Sequence, residues 1–489
     1  MGSSTIILII IFVFTFVPLV LAEFARKNSG TTASEFFLQD RKMPFVLLFF
    51  TVYATWVSSF AVLGATGSFY FKGPLYMTCF AWNVFFGLLF MKIGRRIWFF
   101  GKTYCLMTPS DFFRFFYRSN ILSNLVTIII VIFTIPYLMI QLYGGALIIE
   151  TISGGMIPWR VSGLIFYAVI IIYLWSGGLK AVALTDIFYG SLTFITMLLT
   201  GFLLVHRTGG IEQTFAKIME TTPASVLLDQ APNAGPMMWI SMFFAVPVGA
   251  MMSPPMWTRT YAAGRAEHFN KIPFFISIAT IMYLGPLLSA AAFKARFPHA
   301  EFSDNIIANG IMDYTHPVMG ALLLCGIAAA SLSTANSQIH SLSTICTIDI
   351  YKQLKKEAHS EYKLVRTGRF SVILVSAVAY IFTLMTPLQI IEIGILALAG
   401  TFQLIVPTLG ALFWKKSSGR AATLGLIAGI LITLAGTFIL HFATAYCAMV
   451  GAVVNTLIFC AGSILLTPDA KAQSTISDNQ KLFFRRNRS

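Results

Sequence analysis

AAASLSTANSQIHSLSTICTIDIYK, residues 328–352, continues an apolar run from Pro317 to Ala330 that is long enough to enter a membrane. The segment carries hydroxyls at Ser333, Thr334, Ser337, Ser341 and Thr344. Steps of one, three, four and three place them along one helical face. A polar stripe inside a membrane helix is costly unless it faces protein, water or an ion. A hard cation such as Na+ is bound by several oxygens, and neutral hydroxyls and carbonyls supply them without fixed charge. Ser and Thr in membrane helices also bond their own i−4 carbonyls or help helices pack, so the stripe by itself leaves both readings open.

The rest of the chain agrees with a membrane setting. Of 489 residues, 57% are hydrophobic and only 11% are charged, and the mean hydropathy is +0.78. These values describe an all-α polytopic membrane protein. A spanning helix takes about 20 apolar residues. By that measure there are about 13 candidate transmembrane helices, near 4–22, 43–71, 74–92, 121–151, 158–177, 187–205, 236–258, 272–293, 316–350, 369–386, 388–413, 421–440 and 444–467. The first lacks a positively charged n-region and is read as a retained span, not a cleaved signal peptide.

A net charge of +15 raises the question of a nucleic-acid partner, and its distribution argues against one. With the N-terminus outside, the outer loops hold Lys72, Arg160, Arg207, Lys217, Lys294 and Arg296, and the inner loops hold the other 28 of the 34 Lys and Arg. That bias is the positive-inside rule, which predicts a multi-pass plasma-membrane protein with an outside N-terminus and a cytoplasmic C-terminus. The surplus also attracts anionic inner-leaflet lipid. The six cysteines fall singly, without metal or redox spacing.

Two spans look interrupted. The second reads YATWVSSFAVLGATG at Tyr53–Gly67 and the seventh AVPVGAMMSPPMWTRT at Ala245–Thr260. Pro247, Gly249, Pro254 and Pro255 do not all fit one regular helix. Broken helices at corresponding places in two halves point to an inverted-repeat transporter with a central site. The expected organisation is a first peripheral helix (1–22), two five-helix repeats (43–205 and 236–413), two peripheral helices (419–467) and a disordered cytoplasmic tail (468–489). Ser110-Asp111 followed by four phenylalanines suggests an interfacial helix capped by Ser110 or Asp111 and anchored in lipid. A short amphipathic stretch, Ile211 to Met219, precedes a Pro/Gly-rich link in the outer loop.

Four segments resemble the sodium:solute symporter family, whose members share the LeuT-like fold with its 5+5 inverted-repeat core. They are GGLKAVALTD (177–186), PPMWTRTYAAG (254–264), the AASLSTANSQ…DIY run, and PTLGALFWKKSSGRAATLGLIAG (407–429). The pantothenate and monocarboxylate permease branches look nearest. The resemblance implies a Na+ site built from the carbonyls of Ala54, Val57 and Ala330 and the hydroxyls of Ser333 and Thr334. It also implies that Asp186 lies on the ion's inward path, although an N-cap at the inner surface suits that residue equally. The chain departs from the family at Trp56, where proline-transporting relatives have Asp, and at Tyr189 and Met256.

The function expected is Na+-coupled symport of a small organic solute by alternating access, with Na+ as the coupling ion. Thr55, Trp56, Ser58, Ser59, Tyr137, Gln141, Met256, Trp257 and Gln403 are the candidate solute-binding residues, and helix packing accounts for each of them equally well. None is acidic, so a monocarboxylate or related organic anion is favoured over an amine. A neutral sugar or polyol, an amino acid, and a transporter-like membrane sensor are the alternatives. The sequence has no HExxH, GxSxG or P-loop, and no enzymatic activity is expected. A small membrane partner subunit and the oligomeric state are left open.

Overall fold

The computed structural model describes residues 3–27, 32–223, 235–299, 306–355, 360–385, 390–466 and 470–486. Almost all of these residues are helical. The first half comprises α1 (Ser3–Lys27), α2 (Phe45–Trp56), α3 (Phe60–Lys72), α4 (Leu75–Tyr104), α5 (Pro109–Tyr117), α6 (Asn120–Ile152), α7 (Trp159–Arg207) and α8 (Ile211–Thr221). The second comprises α9 (Pro236–Met252), α10 (Pro254–Ala262), α11 (Glu267–Arg296), α12 (Pro317–Leu354), α13 (Glu361–Met385), α14 (Ile390–Phe402), α15 (Ile405–Phe413), α16 (Gly419–Phe438), α17 (Thr444–Leu465) and α18 (Ala470–Arg486).

Ten helices among the described residues are long and apolar enough to cross a membrane, and two bent pairs qualify together. One of the ten, α7, has 49 residues. At about 1.5 Å per residue that is more than twice the roughly 30 Å of a hydrocarbon core. It breaks at Gly178 (φ 52°, ψ −141°), in a conformation open to glycine alone. A Cβ there would lie 2.4 Å from the Phe36 carbonyl oxygen. Counting α7 as two crossings and each bent pair as one gives the thirteen spans expected.

The bends lie between α2 and α3 (57°) and between α9 and α10 (55°). In the first, Val57 leaves helical geometry at φ −86°, ψ 99°. In the second, Ser253 is extended and Pro254-Pro255 start the next half-helix, where missing N–H groups cost nothing. Helix α12 is the most enclosed span, with 83% of its apolar window buried, against 33% for α1 and α17. It packs against α6 and α7, so the hydroxyl stripe faces protein and not lipid.

Three expectations are corrected. Thr108, not Ser110 or Asp111, caps α5, its hydroxyl accepting from the Asp111 N–H at 3.1 Å. Phe112, Phe113 and Phe116 of that helix are fully buried, so it is wedged into protein, not anchored in lipid. The tail is helical over Ala470–Arg486, with 467–469 and 487–489 outside the described residues. Ala472, Ile476, Asn479, Gln480 and Phe483 recur at helical spacing, and all are buried. Phe483 meets the Phe99 ring at 5.3 Å, and Arg118 donates to the Thr475 hydroxyl at 3.0 Å. That apolar stripe is what gives a polar segment a reason to dock. The Pro/Gly-rich link of the outer loop falls largely on 224–234, outside the described residues.

Candidate functional site

A helix leaves the carbonyls of its last turn without partners on its own backbone. Where α2 stops at Trp56, two of those carbonyls point at the hydroxyl stripe of α12. The Ser333 hydroxyl lies 2.9 Å from the Ala54 oxygen and 3.1 Å from the Ala330 oxygen. The Thr334 hydroxyl lies 3.2 Å from the oxygens of Thr55 and Ala330 and 3.4 Å from that of Ala54. Five oxygens thus converge in a fully buried place. Four come from residues expected to hold the ion; the fifth is the carbonyl of Thr55, a residue expected to line the solute site instead. Val57 stands at the break itself. Three carbonyls and two hydroxyls suit a small hard cation, because each oxygen has a lone pair to give and a hydroxyl can turn its proton away.

A charged network adjoins these oxygens. Asp186 and Arg259 are both fully buried and form an ion pair at 3.6 Å. Thr51 donates to Asp186 at 2.5 Å and accepts from Arg259 Nε at 3.2 Å. Asn336 Nδ2 reaches the other carboxylate oxygen at 3.4 Å. Arg259 also donates to Ser337, whose hydroxyl pairs with that of Thr55 at 2.8 Å. An unbroken chain of hydrogen bonds therefore runs from the end of α2 to the ion pair. Asp186 lies well inside the second half of α7, so it is no helix cap. Arg259 is not the solvent-facing inner-loop cation of the sequence reading. Its partner lies 73 residues away, beyond the reach of any local pattern.

A small cavity abuts the oxygens. It is walled by Thr55, Trp56, Tyr137 and Met256, as expected, and by Thr134, Ser253, Gln338 and Thr401, which were not singled out. Gln338 is one turn beyond Thr334 on the same face, and that spacing was the available signal. Its Oε1 is buried without a hydrogen-bond partner among the described residues. The cavity leaves about 20 Å3 for the centres of water molecules, room for one or two.

The remaining candidates lie elsewhere. Ser58 bonds the Tyr137 hydroxyl at 3.0 Å. Ser59 donates to Gln141 Oε1 through its N–H (2.9 Å) and its hydroxyl (2.7 Å). Those three residues pin the break in the second span to α6. Trp257 packs against Phe112 at 5.2 Å. Gln403 donates to the Ala448 carbonyl at 2.9 Å, and its own carbonyl accepts from Asn455 at 3.0 Å. It ties the gap between α14 and α15 to the α16–α17 hairpin, away from the cavity. The Trp56 indole donates to Asn83 and stacks on Phe86 at 4.6 Å. Its apolar face is what it offers the cavity.

Broken helices meeting buried oxygens at the centre of a helical bundle define a membrane transporter. The chain belongs to the sodium:solute symporter family, whose model matches residues 36–429. It is therefore a multi-pass symporter and not an enzyme, and Na+ is its coupling ion. The sodium/pantothenate symporter of Escherichia coli (strain K12) is 25% identical over 412 residues, covering 83% of this chain and 84% of that protein. The osmoregulated proline transporter OpuE of Bacillus subtilis (strain 168) is 27% identical over 333 residues, 66% of each. The fold is similar to that of a Na+-coupled sialic acid symporter in a substrate-bound outward-open state (TM-score 0.80, 18% identity, covering 95% of this chain and 98% of that one). It is also similar to Mhp1, a nucleobase-cation-symport-1 family transporter in a closed conformation (TM-score 0.61, 11% identity, 92% and 98%).

Proposed function

We propose that the chain imports a small organic anion, a monocarboxylate or related acid, together with Na+. The observation that carries this reading is the composition of the cavity wall. Beside a five-oxygen cluster it is lined by the polar residues Thr55, Thr134, Tyr137, Ser253, Gln338 and Thr401, and by no charged residue. An ammonium group would lack a counter-charge there, at a cost of several kcal/mol on the order of any buried unpaired ion. A carboxylate would be met by Na+ at the adjoining oxygens. The relatives named for pantothenate agree with an acid. The relatives named for proline keep an amino acid as the alternative, against which Trp56 counts because it supplies no charge.

The unpartnered Oε1 of Gln338 favours a second reading. It accepts from a donor on the solute, which suits a hydroxylated acid and also a neutral sugar or polyol.

The Na+ ligands in this proposal are Ala54, Val57, Ala330, Ser333 and Thr334, with the Thr55 carbonyl added. The two repeats are 43–205 and 236–413, a division supported by the similar bends of 57° and 55° in their first spans. The segments 1–22 and 419–467 flank them. The N-terminus faces outward and residues 468–489 the cytoplasm, as the loop charges imply. Na+ holds the unwound second span against α12, and each ligand raises the other's affinity by linkage. The Asp186–Arg259 pair is the inner latch that parts when the ion leaves past Asp186.

The test is uptake into proteoliposomes of labelled lactate, pyruvate, pantothenate, proline and glucose under inward Na+ or K+ gradients. Na+-driven entry of an acid, lost in the doubly substituted Ser333→Ala/Thr334→Ala protein, is expected. Proline or glucose entering in place of any acid would overturn the substrate class. Unchanged Na+ dependence in the double variant would overturn the site.

A further inference from the structure

Trp56 is the last residue of α2 and the largest side chain in the wall of the solute cavity. An indole has two apolar faces and one polar atom, Nε1–H, which only donates. Helix α4 engages both. The ring lies flat on Phe86, with 4.6 Å between centres and 7° between planes, and its Nε1–H donates to Asn83 Oδ1. Asn83 and Phe86 are three residues apart and so share one face of α4. Asn83 Nδ2 donates to the Cys79 carbonyl at 2.8 Å. A carbonyl only accepts, so the amide nitrogen must face it, which leaves the amide oxygen for the indole. Asn83 and Phe86 are both buried, and neither is among the residues that wall the cavity.

An asparagine inside a spanning helix is costly unless its amide is satisfied, and many such residues only hold helices together. Asn83 differs in where its bond ends. It fixes the ring that closes one side of the solute cavity, at the residue directly after the Ala54 and Thr55 carbonyls of the oxygen cluster. We propose that Asn83 is a positioning residue that sets the specificity of the site: by taking the one donor of Trp56 it makes that wall a plain apolar face, so the solute admitted is an acid with an apolar end. Phe133, Ala250, Met256 and Leu398 extend the apolar part of the wall. Without Asn83 the indole N–H is a buried donor with no acceptor, a costly state that favours turning it toward the cavity, where a solute hydroxyl would meet it. The inference rests on the solute reading of this cavity and narrows it. Lactate, with a methyl end, is a better solute than glycerate, which carries a hydroxyl there.

The experiment compares Na+-driven uptake of labelled lactate and glycerate into proteoliposomes holding the full chain or its Asn83→Leu variant, each with and without Trp56→Phe. The unsubstituted protein should prefer lactate. Asn83→Leu should lower that preference about fivefold, the worth of one hydrogen bond gained by the terminal hydroxyl, and Asn83→Gln, which keeps an amide, should restore most of it. Beside Trp56→Phe, where no indole N–H is left to release, Asn83→Leu should change the preference no further. An equal change with and without the indole would mean that Asn83 acts by packing and would overturn the proposal, as would a preference that Asn83→Leu leaves intact. The ring itself is followed by fluorine NMR of the full chain labelled with fluorotryptophan, the Trp56 signal being assigned through Trp56→Phe. Asn83→Leu should shift or split that signal, and an unmoved signal would overturn the positioning. If the unsubstituted protein takes up neither acid, the solute reading falls and the selectivity with it, whereas the Trp56 signal still decides whether Asn83 holds the ring.

Discussion

Replacing Asp186 by Asn tests the central network most directly. The substitution keeps the shape, turns one of the two accepting oxygens into a donor, and removes one charge from a pair whose side chains are both fully buried. At 3.6 Å and an effective dielectric near 20, the lost attraction is about 5 kcal/mol. Removal of one partner of a buried pair typically costs about 3–5 kcal/mol, because the other charge stays behind. The retained bonds from Arg259 to Thr51, Ser337 and the Pro255 carbonyl place the expected loss toward the lower end. Asp186→Asn should therefore lower the melting temperature of the purified protein clearly, and adding Arg259→Met should restore most of it, since no unpaired ion then remains. The assay is a double-mutant cycle on thermal unfolding in detergent, without Na+ so that ligand binding does not enter. A loss below about 1 kcal/mol in the single variant, or a double variant no more stable than the single, would refute the claim that this pair is dry and mutually dependent.

Two further outcomes follow from packing. Gly249→Ala places a Cβ 2.3 Å from the Leu398 carbonyl oxygen and would displace the contact in which Thr401 donates to the Gly249 carbonyl. A destabilisation of about 1–3 kcal/mol is expected, together with slower uptake, because Leu398 and Thr401 both wall the solute cavity. Phe483→Ala should release the tail helix without unfolding the bundle. Hydrogen exchange over 470–486 should rise while exchange in α12 stays unchanged.

The spans were legible in the sequence because burial in lipid demands apolar runs of a fixed length, and the boundaries of Asn120–Ile152 and Pro317–Leu354 fall within a few residues of their expected places. The Pro254-Pro255 break was legible because proline's missing N–H is a local fact. What the sequence hid was non-local. Arg259 looked like a loop charge because it stands at the start of the basic inner segment, and only the packing of α10 against α2 and α12 brings Asp186 beside it. Thr401 and Leu398 were missed because they lie on a helix that reads as uniformly apolar. Gln403, the one polar side chain noticed there, turns away toward Ala448. The tail was missed because its stripe of five buried residues is weak beside thirteen spans. It acquires meaning only from the face of α4 and α5 that receives it.

The five-oxygen cluster makes one more demand. Each hydroxyl has a single proton and lies within hydrogen-bonding reach of more than one carbonyl: Ser333 of Ala54 and Ala330, and Thr334 of Ala54, Thr55 and Ala330. A cation takes lone pairs from the same carbonyls and from the hydroxyl oxygens, so both hydroxyls must rotate their protons outward when it binds. Ion and protons thus compete for the end of α2, and the hydroxyls hold the break closed enough to be ready. Thr334→Val keeps the shape, removes one ligand oxygen and deletes one of those donors. The apo protein should lose only about 1 kcal/mol, the net worth of a typical hydrogen bond. The Na+ concentration for half-maximal uptake should rise at least about tenfold, or roughly 1.4 kcal/mol in binding, and Thr334→Ser should restore it. If Thr334→Val left the Na+ dependence unchanged while lowering stability by that same amount, the hydroxyl would be a packing device that bonds its own helix, and the cation would have to be sought at other oxygens.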